Sequence, residues 1–252
     1  MSLAECVQLR VHASGVAEIV IHRPERHNAM TREMYEALLE RIGACARNPA
    51  VRSVLFKGAG GKSFIAGTDI AHFKGFRGGR DGIAYEAFVE RVIDAVERIA
   101  VPTVAVIDGW AVGGGLALAT ACDFRVCSEA SRFGAPIART LSNTLSSRNI
   151  ARLQAALGVP RVKRMLLLAD HLTAEETLAC GYVHAVCTAG ELDAAAHALA
   201  VRLMALSPVT HKAVKESIRR VVVEQRLDDD DLVEEVYGSQ AFRDGVAAFI
   251  GR

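Results

Sequence analysis

Two stretches of this chain set a short apolar run directly against glycines and a helix start. One is Ser63-Phe64-Ile65-Ala66-Gly67-Thr68-Asp69-Ile70; the other is Asp108-Gly109-Trp110-Ala111-Val112-Gly113-Gly114-Gly115-Leu116. The first backbone N–H groups of a helix have no partner inside it and point outward, toward negative charge. Two such turns facing one another would make an oxyanion hole, a pair of donors for the charge that develops on a carbonyl oxygen. The same spacing also suits an ordinary strand–glycine–helix joint, and spacing alone leaves both readings open.

Other chemistries built on glycine, serine or histidine meet specific obstacles. Gly61-Lys62-Ser63 ends like a phosphate-binding loop, but the glycine needed five positions earlier is Phe56. Gly113-x-Gly115 hints at dinucleotide binding, yet the third small residue would be Leu118, which would crowd helix against strand. There is no G-x-S-x-G elbow and no H-x-x-x-H pair, so esterase and metalloprotease chemistry find no support. Cys6, Cys45, Cys122, Cys127, Cys180 and Cys187 are scattered without a C-x-x-C, which predicts reduced thiols filling core space and no metal site.

The elements that must position the two turns alternate between strand and helix patterns. Val7, Leu9 and Val11 alternate, Ser14-Gly15 turns the chain, and Val16–Ile21 returns as a second strand. Thr31 caps a helix whose Met34, Leu38, Ile42 and Cys45 share one face, and Asn48-Pro49 ends it. Strands follow at Val51–Phe56, Ser63–Ala66, Thr103–Ile107, Phe124–Cys127 and Val183–Val186. The glycine-rich Gly75–Asp81 reads as a loop, Ile83–Ala100 as a helix, and the chain from Leu145 onward mostly as helix. This predicts one mixed-sheet α/β core with a helical C-terminal subdomain.

Composition narrows the function. Thirty Lys and Arg against twenty-nine Asp and Glu leave a net charge of +1, without the basic surplus of nucleic-acid or membrane-surface binders. With 51% apolar residues the 252-residue chain can build a large core. Glu5 and Arg10 interrupt any apolar leader, and the longest charge-free apolar stretch, Gly109–Cys122, falls short of the roughly 20 residues of a membrane span. A soluble, cytoplasmic protein is expected.

Taken in order, these segments resemble the enoyl-CoA hydratase/isomerase (crotonase) superfamily over nearly the whole chain. Ile21-His22-Arg23-Pro24 with Asn28-Ala29 resembles its adenine-side loop, and Ser63–Ile70 and Asp108–Leu116 its two oxyanion segments. Phe133-Gly134-Ala135-Pro136 resembles the stretch that presents a second catalytic residue. Leu172–Ala179 with Gly181-Tyr182-Val183 resembles the segment before the C-terminal helices, and Asp244–Phe249 the family's ending. The resemblance implies a ββα spiral core over 1–190, helices over 191–252 that form a homotrimer or hexamer, and an acyl-CoA thioester as substrate with no separate cofactor. It places the oxyanion donors at the N–H groups of Thr68 and Gly114. It places the coenzyme A moiety along Arg26, His27, Ala29, Ala66, Asp69, Ile70 and Gly113.

The side chains depart from the pattern. Where family hydratases carry two glutamates, this chain has Ala117 and Ile137, and neither can transfer a proton. The polar stretch Ala138–Arg148 follows, so Arg139 and Asn143 are candidate substitutes, although Ser146 and its neighbours equally suit the cap of a following helix. His72 is a third candidate substitute and faces either the acyl pocket or the surface. Asp69 is expected to cap the helix after its turn. The expectation is thioester-enolate chemistry of a fatty-acid-metabolism type, with a non-catalytic acyl-CoA-binding protein as the alternative.

Overall fold

The computed structural model describes residues 2–251. A hairpin of β1 (Val7–Val11) and β2 (Val16–Ile21) opens the chain, and α1 (Arg32–Arg47) follows. Three strand–strand–helix units come next: β3 (Ser53–Gly58), β4 (Ser63–Ile65) and α2 (Gly79–Glu97); β5 (Thr103–Ile107), β6 (Trp110–Val112) and α3 (Gly114–Ala121); β7 (Phe124–Ser128), β8 (Arg132–Gly134) and α4 (Ser147–Leu157). Each unit sends its first strand into a six-stranded sheet and its second into a four-stranded one. The sheet orders are β1-β2-β3-β5-β7-β10 and β4-β6-β8-β9, with β9 at His171–Thr173 and β10 at Ala185–Cys187. All pairings are parallel except β1 with β2 and β8 with β9. The expected α/β spiral is what the chain forms.

The six-stranded sheet is covered on both faces, which is why its inner strands read as unbroken apolar runs rather than alternating ones. Val54, Phe56, Ala105 and Ile107 face the main core with α1, α2 and α3, while Leu55, Val104 and Val106 face the other way. That second face is closed by α7 (Leu192–Met204) through Leu192, Ala196, Leu199, Ala200 and Leu203. Helices α5 (Val159–Leu167) and α6 (Ala174–Ala179) flank β9, and α8 (Pro208–Arg219), α9 (Asp230–Tyr237) and α10 (Gln240–Ile250) end the chain. Among the described residues no single helix is long and apolar enough to cross a membrane. All six cysteines are free thiols, and burial pushes Cys122 and Cys127 up to about 12.

Local rules account for the element ends. The Thr31 hydroxyl accepts from Met34 N–H and starts α1, whose Met34, Leu38, Ile42 and Cys45 are buried as their spacing predicts. The Ser146 hydroxyl accepts from Asn149 N–H and starts α4. Helix α2 begins at Gly79, four residues before the expected Ile83. The Asp81 carboxylate accepts from the Arg77 and Gly78 N–H groups and supplies a cap that the glycines conceal in the sequence. Helix α4 is bound to α2 by a buried ion cluster, in which Arg152 donates to both Glu90 oxygens at 2.9 and 2.8 Å and to Glu97 at 2.8 Å.

Candidate active site

The two glycine-rich turns are brought together by strand pairing. Strands β4 and β6 run side by side with Ser63 opposite Trp110 and Ile65 opposite Ala111, so the turns that follow them leave the sheet at the same end. Gly67 has φ +100° and Gly113 φ +54°, left-handed values that glycine adopts without steric penalty. A Cβ on Gly67 would lie 3.4 Å from the Val112 carbonyl oxygen and 4.0 Å from the Gly114 nitrogen; one on Gly113 would lie 3.8 Å from the Gly67 Cα. The two turns are thus in backbone contact. The next residue is fixed more tightly, because a Cβ on Gly115 would overlap the Ile65 carbonyl.

A third segment locks Thr68. Met30 N–H donates to the Gly67 carbonyl and Asp69 N–H donates to the Met30 carbonyl, both at 2.9 Å. In such a parallel bridge the flanking residues make the bonds, and the N–H of Thr68 itself points away from Met30. Gly114 is the first residue of α3, so its N–H has no partner within the helix. Among the described residues no acceptor takes either N–H. The Met30 loop is itself anchored by Asn28, buried, whose amide donates to the Ala59 and Ser63 carbonyls at 2.9 and 2.7 Å and whose oxygen accepts from Arg23 N–H.

A chain of hydroxyls crosses the same place. Tyr35 Oη lies 3.0 Å from Thr68 Oγ1, which lies 2.6 Å from Tyr85 Oη. A Cβ on Gly114 would come within 2.5 Å of Tyr35 Oη. Burial raises the pKa of both phenols, that of Tyr85 to about 12, so both are neutral hydrogen-bonding groups at physiological pH. Tyr85 also lines a cavity of about 610 Å³ with Phe73, Phe76, Ile83, Glu86, Leu141 and Asn143. A different cavity of about 520 Å³ lies under α8, between Val214 and Ile218 on one side and Cys122 and Phe124 on the other. Neither cavity is lined by Thr68, Gly113 or Gly114, and the first is tied to the turns through the Tyr85–Thr68 hydroxyl contact.

Three segments far apart in sequence are joined so that two backbone N–H groups are left free, with Tyr85 reaching from Thr68 to the cavity lining, and the chain as a whole matches known proteins. The family model described as enoyl-CoA hydratase/isomerase covers residues 12–252. The chain belongs to the enoyl-CoA hydratase/isomerase family. It is 29% identical over 239 residues to the short-chain-enoyl-CoA hydratase of Clostridium acetobutylicum, covering 93% of this chain and 91% of that protein. It is 32% identical over 224 residues to the human mitochondrial enoyl-CoA hydratase domain-containing protein 2, covering 85% and 75%. The crystal structure of an enoyl-CoA hydratase/carnithine racemase from Magnetospirillum magneticum superposes with TM-score 0.87 at 28% identity, covering 98% of this chain and 92% of that one.

The remaining residues singled out from the sequence of this hydratase/isomerase-family chain fall into distinct places. Ala66 N–H donates to the His27 carbonyl, so the Arg26–Ala29 and Ala66–Ile70 segments lie side by side. Arg26, His27 and Ile70 are exposed. Asp69 caps the short helical turn after it by accepting from Ala71 N–H, and its other oxygen pairs with Arg23 at 2.8 Å. That Arg23 bond, with the Ala71 N–H, holds its carboxyl below the usual range. His72 is half-buried, its ring 5.4 Å from that of Tyr85 and packed edge-on against Phe73 and Phe76. Asn143 lines the cavity, while Arg139 is exposed beside His171. Ala117 is buried in α3 and Ile137 half-buried after β8.

Among the described residues, one group of metal-ligating atoms converges: His12, Glu18 and His197. It sits on the α7 side of the six-stranded sheet, across from the turns, because Glu18 shares the face of Val16. The Lys57 ammonium already lies 3.8 Å from Glu18 Oε1, so this is an ion cluster that fastens α7 to the β1–β2 hairpin. Three residues were not read from the sequence: Tyr35 and Tyr85, whose hydroxyls meet Thr68 at the turns, and Glu86 in the cavity lining. Tyr35 lies next to the Met34 stripe of α1 and reads as core, and Tyr85-Glu86 lie in a helix that carries no motif.

Proposed function

We propose that this chain is an acyl-CoA enzyme that polarises a thioester carbonyl between the N–H groups of Thr68 and Gly114 and carries out chemistry through the resulting enolate. The observation that carries this reading is the pair of facing turns in backbone contact, each with an unsatisfied donor, and the Tyr85 hydroxyl that joins Thr68 to the cavity lining. Such donors cost nothing to reorganise as charge develops, which is where their stabilisation arises. The acyl chain then occupies the apolar cavity between Phe73, Phe76 and Tyr85, and the coenzyme A moiety runs over the exposed surface of the paired Arg26–Ala29 and Ala66–Ile70 segments. Coenzyme A is part of the substrate, and the reaction needs no separate cofactor. With Ala117 and Ile137 in the places of the two usual glutamates, rapid hydration of an enoyl-CoA is not the reaction expected.

Self-association belongs to the same reading. Tyr237, Phe249 and Ile250 on the C-terminal helices and Leu227 in the segment before α9 are each more than 60% exposed, and Val214, Ile218 and Val221 add further exposed apolar surface. Surface of this kind is covered in a closed homo-oligomer, and a trimer or hexamer is expected by light scattering.

The oxyanion assignment is tested by calorimetry on Gly114→Pro. Proline is tolerated at a first helical position but has no N–H to donate. For the uncharged carbonyl of a bound thioester, loss of one donor costs an ordinary hydrogen bond, about 0.5–1.5 kcal/mol. An acyl-CoA should lose affinity for the variant while coenzyme A, which lacks the carbonyl, keeps it. Equal losses for the two ligands would make Gly114 a packing glycine and remove the assignment.

A further inference from the structure

Glu86 is the one carboxylate lining the cavity to which Tyr85 also belongs. It follows Tyr85, whose hydroxyl is bonded to Thr68, so the cavity wall that carries Glu86 is continuous with the carbonyl-binding backbone. Its Oε2 accepts a hydrogen bond from Ser146 N–H at 2.8 Å, which fixes the carboxyl against the start of α4. Among the described residues no lysine or arginine pairs with it. Glu90, one turn further along α2, is by contrast bound on both oxygens by Arg152. One oxygen is thus held by Ser146, while Oε1 has no hydrogen-bond or ion-pair partner among the described residues in this half-buried, largely apolar lining. Burial, with the nearby Glu90, raises its pKa above the ordinary glutamate value, against the lowering effect of the Ser146 N–H.

We propose that Glu86 is the acid–base residue of this site, taking a proton from the α-carbon of the bound acyl thioester and returning it. The proposal rests on polarisation of the thioester by Thr68 and Gly114. In the forward step the α C–H bond breaks and its proton passes to Oε1, the oxygen not engaged by Ser146. The electron pair of that bond forms the Cα=C double bond of the enolate, and the carbonyl π pair moves onto the oxygen held by the two N–H groups. The reverse step restores the thioester. Between the two steps the proton on Glu86 exchanges with solvent, so a saturated acyl-CoA acquires solvent hydrogen at its α-carbon with no net reaction.

Butyryl-CoA incubated with the full-length protein in D₂O, followed by proton NMR or mass spectrometry, reads this directly. Binding of butyryl-CoA and of coenzyme A is measured on the same samples. The wild type should bind butyryl-CoA more tightly than coenzyme A and incorporate deuterium at the α-carbon. Glu86→Gln keeps the shape and the acceptor for Ser146, and should bind butyryl-CoA as well as wild type while exchanging at least about 10²-fold more slowly. Glu86→Asp should recover part of the rate. Exchange by Glu86→Gln within a few-fold of wild type overturns the proposal, as does a wild type that binds butyryl-CoA selectively yet exchanges nothing. Binding of butyryl-CoA no tighter than coenzyme A by the wild type refutes the carbonyl-binding reading itself, and this proposal with it.

Discussion

The three successive glycines of the second turn should fail for three different reasons when each is replaced by alanine. At Gly115 the new methyl overlaps the Ile65 carbonyl, a backbone atom held in β4, and the chain has no cheap way to move it. That substitution should cost about 4 kcal/mol or more and leave little folded protein. At Gly113 there is room, since the nearest atom would be 3.8 Å away, and the penalty is the backbone conformation at φ +54°, on the order of 1–2 kcal/mol. At Gly114 the obstacle is one atom, Tyr35 Oη at 2.5 Å, with Thr68 Oγ1 and Tyr35 Cζ already at ordinary contact of 3.7 and 3.8 Å. Overpacking of this size costs about 1–3 kcal/mol. Tyr35→Phe removes the obstructing oxygen at the loss of a single hydrogen bond, about 0.5–1.5 kcal/mol. Introduced into Tyr35→Phe, the Gly114→Ala change should therefore cost less than about 1 kcal/mol. Thermal unfolding resolves the cycle, because 1 kcal/mol corresponds to roughly 2–4 °C in a chain of this length. An equal Gly114→Ala penalty in the two backgrounds would show that the Tyr35 hydroxyl does not abut the turn, and the described packing of the site would be wrong.

Hydration of crotonyl-CoA should run about 10²–10⁴-fold below a relative that carries both glutamates, and a robust wild-type hydratase rate would mean that another residue does their work. Arg152→Ala should destabilise the chain by about 3–5 kcal/mol, because Glu90 and Glu97 would be left without their cation in a buried place; a loss under 1 kcal/mol in denaturant unfolding would contradict that. Asp69 has its folded pKa depressed by Arg23 and the Ala71 N–H, so the stability it contributes is complete above its unfolded value of about 4 and is lost as pH falls through the lower folded value. The stability gap between wild type and Asp69→Asn should accordingly be constant from pH 5 to 7 and shrink in acid, and a gap that widens in acid would reverse the assignment.

Features whose cause is local were legible in the sequence. The Thr31 cap and the Met34–Cys45 stripe are set by helix geometry alone, and the β1–β2 hairpin by alternation around Ser14-Gly15. The strands β8 and β9 were not, because three residues are too few to show a period and their pairing is imposed by the neighbouring β6. The glycine turns could be recognised as a pair, yet the Met30 bridge that orients Thr68 spans 38 positions and leaves no trace in either segment. Tyr35 shows the same limit from the other side: an aromatic residue beside an apolar stripe reads as core, and only its distance to Thr68 distinguishes the hydroxyl from a buried ring.

The cavity wall and the carbonyl-binding turns differ in how much sequence change they can absorb. Gly75, Gly78, Gly79 and Gly82, on the approach to α2 and in its first turns, have no heavy atom within 4 Å of where a side chain would begin, whereas Gly115 is wedged against Ile65. Evolution, or an engineer, can enlarge or trim the loop before α2, and if the proposed acyl pocket is right such changes would reset the chain length or branching it accepts. Throughout such changes, the Arg152 anchor keeps the far half of α2 in register and the two donors stay where they are. Under the proposed function, substrate range would be a property of open loop backbone, inherited separately from the means of activating the thioester.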